Sequence, residues 1–128
     1  MLYLDTSAAV KLLIEEKESS ALRAYLSDHD WASSVLVRTE LVRALLRVDD
    51  SVVPRALDML AQGSLLVIDT QVLDTAARLS PPSLRSLDAI HLASALELRD
   101  ELTAFIAYDD GLLSAASALG MPISSPAD

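Results

Sequence analysis

The chain has 128 residues, a length that suits one domain with one hydrophobic core. It contains no cysteine, which excludes disulfides, thiolate metal sites and cysteine nucleophiles. The formal net charge of −9 argues against non-specific nucleic-acid binding through a basic surface and favours bound cations or a basic partner.

The beginning of the chain does not look like a signal peptide, because no basic region precedes the first apolar residues and Asp5 follows them almost at once. Charged residues interrupt every apolar run well short of the roughly 18 residues that a membrane span needs. We therefore expect a cytoplasmic protein without a membrane partner, folded as a single domain over residues 1–128.

Short apolar runs alternate with helical patterns along the chain. The predicted strands are residues 2–5, 31–33, 65–68 and 102–108, with a small edge strand at 122–123. The predicted helices are residues 8–14, about 21–26, 35–48, 54–62, 71–79, 86–98 and a last one that ends at Gly120. This alternation predicts an α/β fold with a central, mostly parallel sheet of four or five strands and helices on both of its faces. Among the strands, residues 65–68 are the clearest candidate for a buried one.

Helix caps and buried faces are predicted from residue type and spacing. We expect serine or aspartate to begin three of the helices: Ser33 or Ser34, Ser86 and Asp110. The helix over residues 35–48 is expected to bury one stripe, made of Leu41, Val42, Leu45 and Leu46. Its opposite face carries Glu40, Arg43 and Arg47.

Four acids stand out by their positions: Asp5, Glu40, Asp88 and Asp109. Asp5 and Asp109 each follow a predicted strand, and the carboxyl ends of parallel strands are where such sheets form their sites. Each acid alone has an ordinary explanation. Asp5 would cap a helix, Glu40 would be a solvated partner of Arg43, and Asp88 would be stabilised by a helix dipole.

Together, the four acids predict a metal site. Two unit charges about 4 Å apart repel by roughly 4 kcal/mol at an effective dielectric near 20, so clustered carboxylates need protons or a cation. Hard oxygen ligands without cysteine favour Mg²⁺ or Mn²⁺ over Zn²⁺. Magnesium keeps several waters and accepts phosphate oxygens, which suits the hydrolysis of a phosphodiester.

The sequence around these acids resembles the PIN-domain nucleases, and among them the VapC toxins of bacterial toxin–antitoxin pairs. The resemblance rests on four segments: 4–8 (LDTSA), 38–41 (RTEL), 87–93 (LDAIHLA) and 108–109 (YD). It covers nearly the whole chain, and the segment 87–93 is its most specific part. The order and spacing of all four acids agree with the family.

The resemblance implies a three-layer α/β/α domain that cuts single-stranded or looped RNA with Mg²⁺ or Mn²⁺. In the family's mechanism the four acidic positions bind the metal, and here these are Asp5, Glu40, Asp88 and Asp109. It also implies a homodimer and a VapB-like antitoxin, whose basic or arginine-bearing tail would dock into the acidic cleft.

One position departs from the family, which often has threonine or serine two residues before the last acid, where this chain has Ala107. Thr6 or Ser7 would then supply a hydroxyl near the metal. Arg43, Arg47 and Arg85 are candidates for binding RNA phosphates. His91 follows Asp88 by one helical turn and either faces the same cleft or is a partly buried structural histidine.

Two other functions are consistent with an acid after the first strand. A haloacid-dehalogenase-like phosphatase or a receiver domain also needs a late lysine, and the only lysines here are Lys11 and Lys17. A non-catalytic binding module with the same fold is disfavoured by the presence of all four acids, although Ala107 leaves it open.

Overall fold

Five parallel strands form the central sheet in the order β3-β2-β1-β4-β5. This arrangement comes from a computed structural model that describes residues 1–128. The strands are β1 Leu2–Leu4, β2 Trp31–Ser34, β3 Ser64–Leu66, β4 Ala104–Ile106 and β5 Ile123–Ser124. The predicted α/β class and the parallel sheet of four or five strands are confirmed.

Seven helices connect the strands, and each corresponds to a predicted helix. They are α1 Thr6–Lys11, α2 Ser19–Leu26, α3 Val37–Val48, α4 Val53–Gln62, α5 Thr70–Ala77, α6 Ser86–Leu96 and α7 Asp110–Ala118. A short 3₁₀ turn, Asp50–Val52, precedes α4. None of the helices combines the length and the apolar character that crossing a membrane requires.

The core lies on both faces of the sheet, because successive side chains of a strand point to opposite faces. Leu2 and Leu4 of β1 pack into one large apolar cluster with residues of α1 to α4. Tyr3 points the other way, into a second cluster with residues of α6 and α7, where its ring stacks on Phe105 with 5.2 Å between centroids. The three-layer arrangement predicted for the chain is therefore confirmed.

The prediction of a buried strand over residues 65–68 is wrong in both extent and burial. Strand β3 is Ser64–Leu66, it lies at the edge of the sheet, and its leucines are only half-buried. Val67, just beyond it, is 72% exposed. An apolar run in the sequence shows that a segment is hydrophobic, but it does not show whether its strand lies at the centre or at the edge of the sheet. That order is set by tertiary packing.

The predicted serine cap of α3 is also wrong. The helix begins at Val37, and its N-cap residue, Leu36, makes no side-chain cap. Ser33 is used elsewhere, since its hydroxyl donates to the carbonyl oxygen of Leu4 at 2.6 Å and ties β2 to β1. Ser34 Oγ accepts a hydrogen bond from the N–H of Leu36 at 3.2 Å, within the turn that precedes the helix.

The buried stripe of α3 is narrower than predicted. Leu41 and Leu45 are fully buried, whereas Val42 is half-buried and Leu46 is 56% exposed. The sheet covers only part of this helix, so an apolar residue at helical spacing is not always a core residue.

The cap assigned to Ser86 is wrong by one residue. The N-cap position of α6 is Arg85, which has an extended backbone and makes no side-chain cap. Ser86 already belongs to the helix. A residue with helical dihedral angles cannot be the N-cap, which has non-helical φ and ψ.

Candidate active site

The four acids predicted to form the site come from four different elements. Asp5 directly follows β1, and Asp109 follows the neighbouring strand β4. The N–H of Asp5 donates to the carbonyl oxygen of Ile106 at 3.1 Å, so the ends of these two strands are held together. Glu40 and Asp88 lie in the first turns of α3 and α6.

Asp5 caps helix α1 through one oxygen of its carboxylate. Oδ1 accepts hydrogen bonds from the N–H of Ala8 at 2.9 Å and from the hydroxyl of Ser7 at 2.7 Å. The side chain is buried, and this burial raises the pKa of Asp5, although both hydrogen bonds act in the opposite direction. Oδ2 makes no hydrogen bond within the chain, so a cap and a metal ligand are compatible roles for Asp5.

Asp109 has the same arrangement at the start of α7. Its Oδ1 accepts a hydrogen bond from the N–H of Leu112 at 2.7 Å. The cap was predicted at Asp110, which is instead the first residue of the helix, so that prediction is wrong. Ala107 is fully buried in the core below, and no hydroxyl stands where the family often has one.

Glu40 turns toward α1 and α6 rather than toward solvent. Its Oε1 accepts a hydrogen bond from the hydroxyl of Thr6 at 2.7 Å and lies 2.7 Å from Nε2 of His91. Burial raises the pKa of Glu40, but the hydrogen bonds from His91 and Thr6 outweigh it and lower the pKa overall. The ion pair with Arg43, one of the explanations considered for Glu40, is not formed.

The side chain of Asp88 makes no hydrogen bond with the rest of the chain, although the residue is half-buried. Burial raises the pKa of Asp88, the nearby His91 lowers it, and the charges of Asp109 and Glu40 raise it further. The charge of Asp88 in turn contributes to the raised pKa of Asp5. Asp88 therefore lies close enough to each of the other three acids for their charges to interact.

His91 is both buried and connected to this region. It is 2% exposed, and each of its ring nitrogens has a partner: Nδ1 lies 2.7 Å from the hydroxyl of Tyr3, and Nε2 faces Glu40. His91 is therefore a buried histidine that contacts Glu40. Its role in the cleft stays a prediction.

The arginines lie outside the hydrogen-bonded part of the site. Arg85 is exposed at the start of α6, and its charge lowers the pKa of Asp88, so it lies at the rim. Arg43 and Arg47 are exposed on α3 without an ion-pair partner. Their contact with RNA stays a prediction.

One pattern is shared by the acids. In Asp5, Glu40 and Asp109 the protein holds one carboxylate oxygen by hydrogen bonds and leaves the other without any, and in Asp88 both are without a partner. The donor set consists of hard oxygens, which suits Mg²⁺ or Mn²⁺. In this conformation, however, no group of three or more Asp, Glu or His side chains has the geometry to hold a metal ion.

Sequence reasoning missed Tyr3, which it treated only as part of an apolar strand. Its hydroxyl accepts a hydrogen bond from the N–H of Ser34 at 3.0 Å and contacts His91. The available signal was the hydroxyl itself, because a buried tyrosine usually needs a partner for it.

Comparison with known proteins gives consistent matches. The PIN domain family model matches residues 2–117. Ribonuclease VapC46 of Mycobacterium tuberculosis is 47% identical over 126 residues, which are 98% of this chain and 97% of that protein. Ribonucleases VapC47 and VapC35 of the same species are each 42% identical, with the same two coverages.

A solved structure shares the fold. The crystal structure of Mycobacterium tuberculosis VapC20, called a Sarcin-Ricin loop cleaving toxin, is similar with a TM-score of 0.73. The match covers 94% of this chain and 96% of that one, at 14% sequence identity. At such low identity the likeness concerns the fold alone.

Proposed function

Because the chain belongs to the PIN-domain family and, within it, to the VapC proteins, we propose that it is an endoribonuclease toxin that cleaves RNA phosphodiester bonds with Mg²⁺ or Mn²⁺. The relatives are named ribonucleases, and the structural neighbour is called a Sarcin-Ricin loop cleaving toxin. The observation that carries the proposal is the group of four acids at the carboxyl edge of the sheet, each with an oxygen that makes no hydrogen bond.

In this proposal Asp5, Glu40, Asp88 and Asp109 hold the metal through those oxygens. When bound, a divalent ion supplies positive charge for the phosphate and lowers the pKa of water enough to make it a nucleophile. The chain itself provides the orientation of the ligands. Helix caps fix the carboxylates of Asp5 and Asp109, while Thr6 and His91 fix that of Glu40.

Substrate binding is proposed to use the arginines at the rim. RNA phosphates need positive partners, and arginine offers a planar fork of donors that matches them. Arg85 stands beside Asp88, and Arg43 lies one turn after Glu40 on α3. Since the acids would be offset by the metal, the net charge of −9 does not prevent RNA from approaching the site.

The proposed partner is a VapB-like antitoxin with a basic or arginine-bearing tail, which would neutralise the acidic site. The negative charge of the chain favours such a partner. We further propose a cytoplasmic homodimer in which residues 1–128 form a single nuclease domain. Copurification with the antitoxin at low salt, followed by measurement of the mass of the complex, tests these assignments.

A non-catalytic binding module is the second candidate, and the observation that favours it is the buried Ala107. It predicts RNA binding without cleavage. A haloacid-dehalogenase-like phosphatase is no longer a candidate, because the chain belongs to the PIN-domain family.

The deciding experiment is cleavage of structured RNA with Mg²⁺ or Mn²⁺, repeated with EDTA and with Asp5→Asn. The asparagine keeps an oxygen that accepts from Ser7 and Ala8, so the variant removes the charge without removing the cap. We expect both treatments to abolish cleavage. Cleavage that persists with EDTA would refute the metal-dependent mechanism, and intact RNA bound by the wild-type protein would favour the binding module.

A further inference from the structure

A buried chain of hydrogen bonds leads from the core to Glu40. It begins at Tyr3, which is fully buried, passes through His91 and ends at Oε1 of Glu40. Both links measure 2.7 Å between the polar atoms. Glu40 is the only one of these three residues that reaches the partly open side of the site.

The rings of this chain are held firmly in place. Tyr3 stacks on Phe105 at 5.2 Å and meets His91 edge-on, with 5.9 Å between centroids and planes 79° apart. Offset-stacked and edge-on arrangements are the favourable ones for aromatic pairs. His91 therefore has little freedom to rotate away from Glu40.

The hydroxyl of Tyr3 holds the His91 ring from its buried side. The oxygen of this hydroxyl accepts a hydrogen bond from the N–H of Ser34, and burial raises the pKa of Tyr3, so the hydroxyl keeps its proton. Nδ1 of His91 lies 2.7 Å from this oxygen. On the other side of the ring, Nε2 lies 2.7 Å from Oε1 of Glu40.

We propose that Tyr3 and His91 are positioning residues, with Tyr3 holding the ring of His91 at Nδ1 and His91 orienting Glu40 at Oε1, so that Oε2 of Glu40 is left for the metal. This inference rests on the proposed metal-dependent function. Thr6 assists, because its hydroxyl donates to the same Oε1 from α1. With Oε1 held by two donors, Oε2 is the oxygen of Glu40 that is left to bind the ion.

Two substitutions at His91 separate its two contacts. In His91→Gln the amide N–H₂ replaces Nε2 and can still donate to Glu40, whereas His91→Asn retains only a group at the position of Nδ1. Loss of a group that orients a metal ligand typically weakens metal binding by about 10- to 100-fold. We expect that loss for Mn²⁺ in His91→Asn and a much smaller one in His91→Gln, measured by the electron paramagnetic resonance of free Mn²⁺. Equal affinities of wild type and His91→Asn would overturn the proposal.

A double-mutant cycle tests whether His91 acts through Glu40. If it does, His91→Asn weakens Mn²⁺ binding in the wild-type background but has little further effect when Glu40→Gln is already present. The same fold-loss in both backgrounds would mean that His91 only supports the fold. His29→Asn is the matched control and should bind Mn²⁺ normally, because His29 is exposed and its one side-chain hydrogen bond goes to the carbonyl oxygen of Tyr25.

The contact between Tyr3 and His91 is measured without any metal. The chain has two histidines, so ¹⁵N NMR of His29→Asn reports on His91 alone. We expect the ¹⁵N resonance of Nδ1 to shift when Tyr3→Phe removes the hydroxyl that contacts it. An unchanged Nδ1 resonance would overturn the role of Tyr3. If wild type binds no Mn²⁺, the metal-dependent function fails together with the role of His91 at Glu40, whereas the NMR result still decides the role of Tyr3.

Discussion

Two turns of the molecule have nearly the same local sequence and very different surroundings. Residues 4–6 read Leu-Asp-Thr and residues 68–70 read Ile-Asp-Thr. In each, the aspartate follows a strand and caps the next helix, accepting from the backbone N–H three residues later at 2.9 Å. Asp5 and Asp69 thus make the same backbone cap, and Asp5 accepts a further hydrogen bond from the hydroxyl of Ser7.

Asp5 and Asp69 differ in where the strands that precede them lie in the sheet. Asp5 leaves the central strand β1, between β2 and β4, and is buried beside other acids, whereas Asp69 follows the edge strand β3 and is exposed. Thr6 donates to Glu40, but Thr70 has no side-chain hydrogen bond. Sequence near the aspartate determines the cap, and the strand order determines whether the same residue also lies beside other acids.

The largest expected difference is in RNA cleavage. Asp5→Asn should lower the rate by at least about 100-fold, because losing a ligand costs no less than losing a group that supports one. Asp69→Asn, which also keeps its cap, should leave the rate unchanged. The cleavage rates of both variants are measured on one RNA with Mg²⁺. Equal impairment of the two variants would contradict a special role for Asp5.

A smaller effect is expected at the two threonines. Thr6→Val keeps the shape of the side chain and removes the hydrogen bond to Glu40, so Mn²⁺ affinity should fall by roughly 10-fold. Thr70→Val provides the control at the edge strand. Calorimetric titration of both variants tests this, and equal affinities would show that the hydroxyl of Thr6 does not orient Glu40.

Ser7 should matter less than Thr6. Ser7→Ala removes one of two hydrogen bonds to Oδ1 of Asp5, and the backbone N–H of Ala8 still holds that oxygen. Because a net hydrogen bond contributes about 1 kcal/mol, we expect a loss of Mn²⁺ affinity of roughly 5-fold. The control is Gln71→Ala, the matching position after Asp69, and a Ser7→Ala loss larger than that of Thr6→Val would contradict this order.

The smallest expected effect is on the free energy of unfolding in the absence of metal. Burial raises the pKa of Asp5 above its ordinary value of 3.8, so between these two values the folded protein binds more protons than the unfolded chain. The stability that Asp5 contributes is therefore complete below pH 3.8 and is lost as the pH rises through the raised value. In Asp5→Asn the free energy of unfolding should therefore fall less as the pH rises, and the variant should be more stable than wild type at neutral pH.

Denaturant unfolding in EDTA, from acidic to neutral pH, measures the effect. Asp69→Asn is the control for removing an exposed charge at an equivalent cap, and its profile should follow that of wild type. A neutral-pH stability of Asp5→Asn below that of wild type would show that burial does not make the charge of Asp5 unfavourable.

The sequence predicted the elements of the fold because hydrophobic periodicity is a local property. It could not predict that residues 64–66 lie at the edge of the sheet or that Leu46 is exposed, since both depend on which elements pack together. The caps were predicted from residue type alone, and the competing hydrogen bond of Ser33 to Leu4 could not be read from its neighbours.

The site was predicted only as a set of acids. Their positions after strands and in first helical turns indicated a common edge, and in the structure Asp88 lies close enough to each of the other three for their charges to interact. The hydrogen bonds that orient them were not predictable in the same way. Tyr3 and Glu40 both contact His91, 88 and 51 residues away in sequence, and such contacts appear only once the layers have packed.

The two aspartate caps have a consequence for how the proposed metal ion would be acquired. The groups that hold Asp5 and Asp109 are backbone N–H groups of α1 and α7, which are present in the folded chain whether or not a cation is bound. Unlike small zinc domains, whose folding requires their ion, this protein is expected to fold first and to load its metal afterwards. A molecule that extracts the ion would then switch the site off reversibly, leaving an intact apoprotein that regains its metal without refolding.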